Sequence, residues 1–222
     1  MKIFLTAILI SWIVVWFCAS AFPFDDGDWQ YWNTEGISIK IRDDWRFDLE
    51  EELRWGDDMR NPYYNHTDAG FIYSGLADWF DLGLNYRHIN EEKSSGWKRE
   101  SRPHVNGTVK WKFQDFSFSN RGRFEYREKE DADDYWEYRN KFSIKPPISF
   151  TQHKIQPYLA DEVFVDFDKG ELYRNRLYPG VSFNIFKQLK AEIYYLWQRS
   201  KSFSTGKWSD VNAIGTKLKI SF

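Results

Sequence analysis

Residues 45–55 read WRFDLEEELRW and separate their residue types by parity. Five of the six odd positions, from Trp45 to Trp55, are apolar, and all five even positions are charged. Because a β-strand points alternate side chains to opposite faces, this stretch predicts a strand with one apolar face and one ionic face. A helix would scatter the same residues around its surface.

The same alternation returns along the rest of the chain. Aromatic and aliphatic residues alternate with charged or small polar ones, and two weaker strands flank a turn at residues 78–81. A period of two over most of the chain predicts an all-β protein. The ten predicted strands cover residues 45–55, 67–77, 82–90, 104–113, 116–127, 136–144, 155–166, 174–185, 189–198 and 214–222.

The connections between these strands alternate in length, and tryptophans lie near strand ends, where indole rings favour a membrane interface. A strand of about 11 residues tilted by about 45° spans roughly 25 Å, the height of an outer-membrane apolar band. The pattern predicts an antiparallel up-and-down transmembrane β-barrel. Short turns are expected near 43–44, 78–81, 114–115, 146–153 and 186–188, and longer polar loops near 56–66, 91–102, 128–134, 167–171 and 200–207.

The strand count depends on the N-terminal part of the chain. A barrel whose chain starts and ends on one side of the membrane needs an even number of strands. Residues 29–41 also look extended and would make an eleventh strand. We therefore predict a ten-stranded barrel over residues 45–222, preceded by an extended segment at 22–44, with twelve strands as the alternative.

Residues 1–21 predict a cleaved signal peptide. Lys2 supplies the positive charge, residues 3–17 are apolar, and residues 19–21 (ASA) fit a cleavage site. Fifteen apolar residues are short for a membrane-spanning helix of about 20, although a retained anchor is the alternative. The only cysteine, Cys18, falls inside this segment.

The chain ends in Phe222, at the close of an alternating strand. This ending is similar to the signal by which the bacterial barrel-assembly machinery recognises its clients. We therefore expect export to the bacterial outer membrane, with that machinery, periplasmic chaperones and outer-membrane lipid as partners.

Composition excludes several classes of protein. The 31 basic and 33 acidic residues give a net charge of -2, which does not point to nucleic acid as a partner. Aromatic residues make up 20% of the chain, far more than disordered proteins carry. Mean hydropathy is −0.67 and only the N-terminal segment is continuously apolar, which excludes a bundle of transmembrane helices.

In the predicted barrel, the ionic faces of the strands line the lumen. Basic residues outnumber acidic ones on these faces, which leaves two interpretations: side chains that fill a small barrel as Arg–carboxylate pairs, or a narrow channel that prefers anions. The predicted lumen network consists of Arg46, Asp48, Glu50, Glu52, Arg54, Arg121, Arg123, Glu125, Arg127, Glu137, Arg139, Glu162, Arg174 and Arg176.

No catalytic residue, metal ligand or cofactor site is predicted. Outer-membrane lipid hydrolysis, the remaining alternative, would require a nucleophile beside a base on one strand face. None of the four histidines, His66, His88, His104 and His153, has a serine two residues further on. The histidines are dispersed and no HExxH motif occurs. The architectural rival is a soluble periplasmic β-sandwich, in which the aromatic faces would pack together.

Four motifs in the second half of the chain resemble those of the domain of unknown function 2490 family. They are residues 120–127 (NRGRFEYR), 137–139 (EYR), 161–164 (DEVF) and 175–180 (NRLYPG). With residues 32–54, the resemblance covers nearly all of the chain after the signal peptide. It implies a bacterial outer-membrane barrel and no activity.

Overall fold

A computed structural model describes residues 26–222, which form eleven β-strands in a closed barrel. The predicted signal peptide lies outside the described residues. Within residues 26–222 no helix is long and apolar enough to cross a membrane. The strands are β1 (Asp28–Lys40), β2 (Trp45–Gly56), β3 (Asn61–Ala77), β4 (Phe80–Lys93), β5 (Gly96–Phe113), β6 (Phe116–Lys129), β7 (Tyr135–Lys145), β8 (Gln156–Asp166), β9 (Glu171–Asn184), β10 (Leu189–Lys201) and β11 (Trp208–Ser221).

Successive strands pair antiparallel, and β1 closes the barrel by pairing parallel with β11. Asp28 lies opposite Val211, and Ser38 lies opposite Ser221. The prediction of ten strands is therefore wrong, because residues 28–40 form part of the wall. The parity argument assumed that the chain starts and ends on one side of the membrane. With eleven strands, β1 begins at the end of the barrel where β11 begins, so the two strands that close the barrel are parallel.

The first strand looks extended in sequence but lies outside the predicted wall, and its two faces are less distinct than those of residues 45–55. Its buried inward side chains are uncharged and include Gln30, Trp32 and Thr34, while Glu35 points outward. An apolar residue inside and a charged residue outside reverse the pattern of residues 45–55.

The predicted alternation of short turns and longer loops is not observed, because the longest connection, residues 146–155, lies at the end where short turns are expected. We name the end that holds Phe222 the turn end, where strands are joined through residues 41–44, 78–79, 114–115, 146–155 and 185–188. The opposite end is the loop end, where strands are joined through residues 57–60, 94–95, 130–134, 167–170 and 202–207.

Two of the predicted long loops are in fact largely strand. β3 begins at Asn61, and β4 continues to Lys93 before two residues lead into β5 at Gly96. The pairing continues almost to the hairpin tip, with Glu91 opposite Lys98. These segments are polar on both faces, so they lack an alternating pattern although their backbones pair. The β4–β5 hairpin consequently extends the wall at the loop end.

The faces of the wall are the reverse of those in a soluble domain. Large apolar side chains point outward, and Leu84 and Phe113 are 66% and 63% exposed. Glu125 and Glu137 point inward and are 0% exposed. Outward aromatic rings contact one another across strands, as Trp111 does when it stacks on Phe118 with ring centroids 5.4 Å apart.

A small apolar cluster lies inside the lumen beside the charges. It consists of Trp32, Ala160, Tyr178, Leu196 and Ala213, with Tyr194 packed against it. The Tyr194 ring covers Gly215, where an added Cβ atom would lie 2.0 Å from the ring. Glycine is thus required at this position because the aromatic ring occupies the space of a side chain.

Substitution of Gly215 should therefore destabilise the barrel. Gly215→Ala is expected to lower the free energy of unfolding by about 1–3 kcal/mol, because Tyr194 must leave its packed position. Gly36→Ala is the matched control, since its Cβ would meet its nearest atom at 3.5 Å. Urea unfolding of the refolded proteins measures both changes, and equal stabilities would contradict this packing.

Candidate functional site: a charged lumen

A network of ion pairs fills the lumen towards the loop end. Arg102 donates from Nε to Glu100 at 2.7 Å and from Nη1 to Glu125 at 3.1 Å. Arg127 donates to Glu100 at 2.6 Å and to Glu137 at 2.9 Å. All of these side chains are buried. Each guanidinium bridges two carboxylates, an arrangement that compensates the high cost of removing charges from water.

The strand register explains how the network is arranged. Glu125 on β6 lies directly opposite Glu137 on β7, and Arg123 lies directly opposite Arg139. Like charges thus face each other, which is unfavourable unless diagonal neighbours compensate. Arg139 makes such a diagonal contact, with its Nη1 3.5 Å from Glu125 Oε2. The ion pairs therefore join residues at different heights along the barrel axis, and not only residues that lie directly opposite each other.

Glu162 on β8 is shared by several cations. Its carboxylate accepts hydrogen bonds from Arg139 at 2.9 Å, from Arg121 at 3.2 Å and from the Tyr178 hydroxyl at 2.7 Å. Arg176 Nη1 lies 3.9 Å away. One buried carboxylate thus balances more than one guanidinium.

Aromatic rings complete the surroundings of these cations. Arg139 and Arg176 lie over the Phe164 ring, at 4.5 and 4.8 Å from its centroid. Lys141 lies 3.8 Å from the centroid of Tyr178. Such contacts stabilise cations that have few carboxylate partners.

The five predicted lumen residues of β2 lie on the opposite wall and belong to other ion pairs. Arg54 donates to Glu52 at 2.7 Å and covers the Trp32 ring at 3.7 Å. Glu50 pairs with Lys217. The remaining pairs are those of Asp48 with Lys219 at 3.1 Å and of Arg46 with Asp81 at 3.4 Å.

Two residues named in the sequence analysis, Arg174 and Phe222, lie outside these ion pairs. Arg174 donates from Nε to Ser200 Oγ at 3.1 Å. Phe222 lies at the seam between β1 and β11, where its N–H donates to Ser38 O and its carbonyl accepts from Lys40 N–H, both at 2.9 Å.

Sequence reasoning missed the inward residues of β3 and β4. Asp68 accepts from Arg87 Nε at 2.8 Å and lies 3.0 Å from His104 Nε2. His66 is also inward and buried. The intervening outward residues of these strands include Thr67 and His88, so polar residues on both faces obscured the alternation. A search for polar residues at every second position, whatever the residues between them, would have found them.

A cavity of about 390 Å³ occupies the turn-end half of the lumen. Glu100, Glu125 and Glu137 of the network described above do not line this cavity and lie towards the loop end. Inward side chains at the turn end remain accessible, with Arg46 35% and Lys110 45% exposed. The cavity therefore has access to solvent at the turn end, where Arg46 lines it.

Charge is distributed unequally around the cavity. The residues that line it include nine basic and seven acidic side chains. We define the basic wall as Arg121, Arg123, Arg139, Lys141 and Arg176, and the acidic wall as Asp48, Glu50, Glu52, Asp68 and Asp81. The basic wall comes from β6, β7 and β9, and the acidic wall comes from β2, β3 and β4. A field consequently runs across the lumen from one wall to the other.

Comparison with known proteins places this barrel in a family. A family model described as protein of unknown function (DUF2490) matches residues 29–209. The chain belongs to the DUF2490 family. The matched region of this DUF2490 protein runs from β1 to the start of β11, so the first strand lies within the part of the chain that the family model matches. No curated protein matches the chain.

Removal of the shared carboxylate should be costly. Glu162→Gln leaves Arg121, Arg139 and Arg176 with an uncompensated buried charge, so we expect the free energy of unfolding to fall by about 3–5 kcal/mol. Asp161→Asn is the matched control, because the adjacent side chain is only half-buried and accepts from Asn175. Urea unfolding measures the free energy of unfolding of both variants. Equal losses in the two variants would contradict the shared role of Glu162.

Proposed function

We propose that this DUF2490 protein is an integral β-barrel of the outer membrane of a Gram-negative bacterium, with a lumen sealed at one end. The observation that carries the proposal is the apolar outer surface of the closed wall. Trp45 and Trp55 lie at opposite ends of the outward face of β2, ten residues apart. At about 3.3 Å per residue and a tilt of about 40°, this separation corresponds to roughly 25 Å, the apolar height of an outer-membrane barrel.

The proposal includes an orientation. The C-terminal strand ends at the turn end, which would face the periplasm, and the protruding β4–β5 hairpin would face outward. Residues 1–21 would direct export, and Phe222 would be recognised by the barrel-assembly machinery. The exposure of Phe222, 69% at the end of β11, supports its availability to such a partner.

The lumen favours a closed barrel over a channel. Buried ion pairs of Arg102 and Arg127 occupy the loop-end half, and neither side chain lines the cavity. The basic wall supports anion preference within the cavity, which is the second candidate function. An anion that enters from the turn end would nevertheless meet a blocked end. Binding within a one-sided cavity thus fits the geometry better than passage.

His88, which Asn90 follows two residues later, gives no support to the hydrolase alternative. His88 lies opposite Thr67 on the outer face, since Ile89 between His88 and Asn90 is the inward residue. A base at this position would face lipid in the proposed location. We therefore leave catalysis out of the proposal.

Membrane integration can be tested by charge substitution on the outer face. Leu84→Arg would place a cation within the proposed apolar band and should weaken folding into phospholipid vesicles by about 2–4 kcal/mol. Trp97→Arg, on the protruding hairpin, should cost about 0–1 kcal/mol, because that position would lie outside the band. Urea titration of vesicle-folded protein measures both changes, and similar small effects would argue for a surface that faces water.

The sealed lumen predicts electrical silence. The refolded protein in planar lipid bilayers is expected to produce no single-channel steps in concentrated KCl. The double variant Glu100→Ser with Arg102→Ser removes one charge of each sign from the seal and is expected to leak. Regular steps from the unmodified protein would overturn the sealed barrel, and anion-selective steps would favour the channel instead.

A further inference from the structure

We propose that Glu50, Glu52 and His66 form a binding site for a divalent transition metal of the zinc class, at the side of the lumen cavity. The inference goes beyond the proposed membrane location and does not depend on it. β2 presents Glu50 and Glu52 on the same inward face, and the register sets Glu52 directly opposite His66 on β3. Their ligand atoms lie within 4.8 Å of one another.

The strongest evidence is a gap between two potential ligands. His66 Nε2 forms no hydrogen bond within residues 26–222, although His66 is only 1% exposed. It lies 3.7 Å from Glu50 Oε1, which is too far for a hydrogen bond. Zinc bonds of about 2.0–2.2 Å to each atom would bridge this distance. A metal ion would thus satisfy a buried nitrogen that is otherwise without a partner.

The surrounding residues hold the ligands in place. His66 Nδ1 lies 3.1 Å from the Tyr64 hydroxyl, and donation from Nδ1–H to that oxygen leaves a lone pair on Nε2. Arg54 and Thr34 donate to the two oxygens of Glu52 at 2.7 and 3.0 Å, which fixes that carboxylate. Zinc ligands commonly have such outer hydrogen bonds.

The third ligand and the access route also fit. Glu52 Oε1 lies 3.7 Å from His66 Nδ1, and on metal binding the Glu52 carboxylate would exchange one of its two hydrogen bonds, from Arg54 or Thr34, for a bond to the ion. All three residues line the cavity that opens at the turn end. Three protein ligands would leave a coordination position for water from the cavity, as in open zinc sites.

Lys217 competes with the metal for Glu50. Its ammonium group is bonded to Glu50 Oε2, and its side chain lines the cavity and is 31% exposed. A bound divalent ion would repel this ammonium group, which has room to turn into the cavity. Removal of the Lys217 charge should consequently tighten metal binding, an effect that a purely structural ion pair would not produce.

The test is a titration of refolded, chelator-treated protein with Zn²⁺, in which isothermal calorimetry measures the binding affinity. We expect saturable binding that falls by about tenfold or more in Glu50→Gln and in His66→Gln. Lys217→Met should tighten it. Glu192→Gln is the matched control, since Glu192 lines the same cavity but pairs with Lys190, and its affinity should match that of the unmodified protein.

A spectroscopic readout keeps the proposal falsifiable if a variant does not fold. Co²⁺ in the unmodified protein should give visible absorption bands of a four- or five-coordinate site, and X-ray absorption should detect one imidazole in the first shell. Absence of saturable binding, binding without an imidazole ligand, or equal affinity in Glu50→Gln and the control would each overturn the proposal.

Discussion

Because the sheet closes into a barrel, every side chain in the wall points in one of two directions, into the lumen or towards the outer surface. Because successive residues alternate between these directions, a chain with charges at every second position must gather those charges in a narrow interior. Buried charges are tolerated only when they are paired and hydrogen-bonded. The shared carboxylates of Glu125 and Glu162, each contacted by at least two guanidinium groups, follow from this constraint.

The same constraint divides the lumen into two functional parts. Towards the loop end, Arg102 and Arg127 join the carboxylates of neighbouring strands, and neither side chain lines the cavity. Around the cavity, β6, β7 and β9 carry an excess of basic side chains and β2, β3 and β4 an excess of acidic ones, and the space between them remains open. The outer surface is largely apolar because most charges of the wall point inward, so the buried ion pairs and the proposed lipid contact have one common cause.

Much of this architecture could be predicted from residues such as those at 45–55, because the difference between their two faces is large. β1 could not be counted reliably, since Trp32 points inward, Glu35 points outward, and its partner β11 is parallel. The cluster of Glu52 and His66 could not be predicted either. Their approach depends on the register between β2 and β3, which sequence spacing does not reveal.

The most direct test of the central claim is the accessibility of nitroxide labels placed one at a time along residues 118–125 of β6, with Cys18 replaced. In protein folded into lipid vesicles, labels at even positions, including Phe118 and Phe124, should collide with oxygen dissolved in the lipid. Labels at odd positions, including Arg121 and Arg123, should be shielded from it. High accessibility of the even positions to a water-soluble nickel chelate, or shielding of these positions from oxygen, would contradict the account.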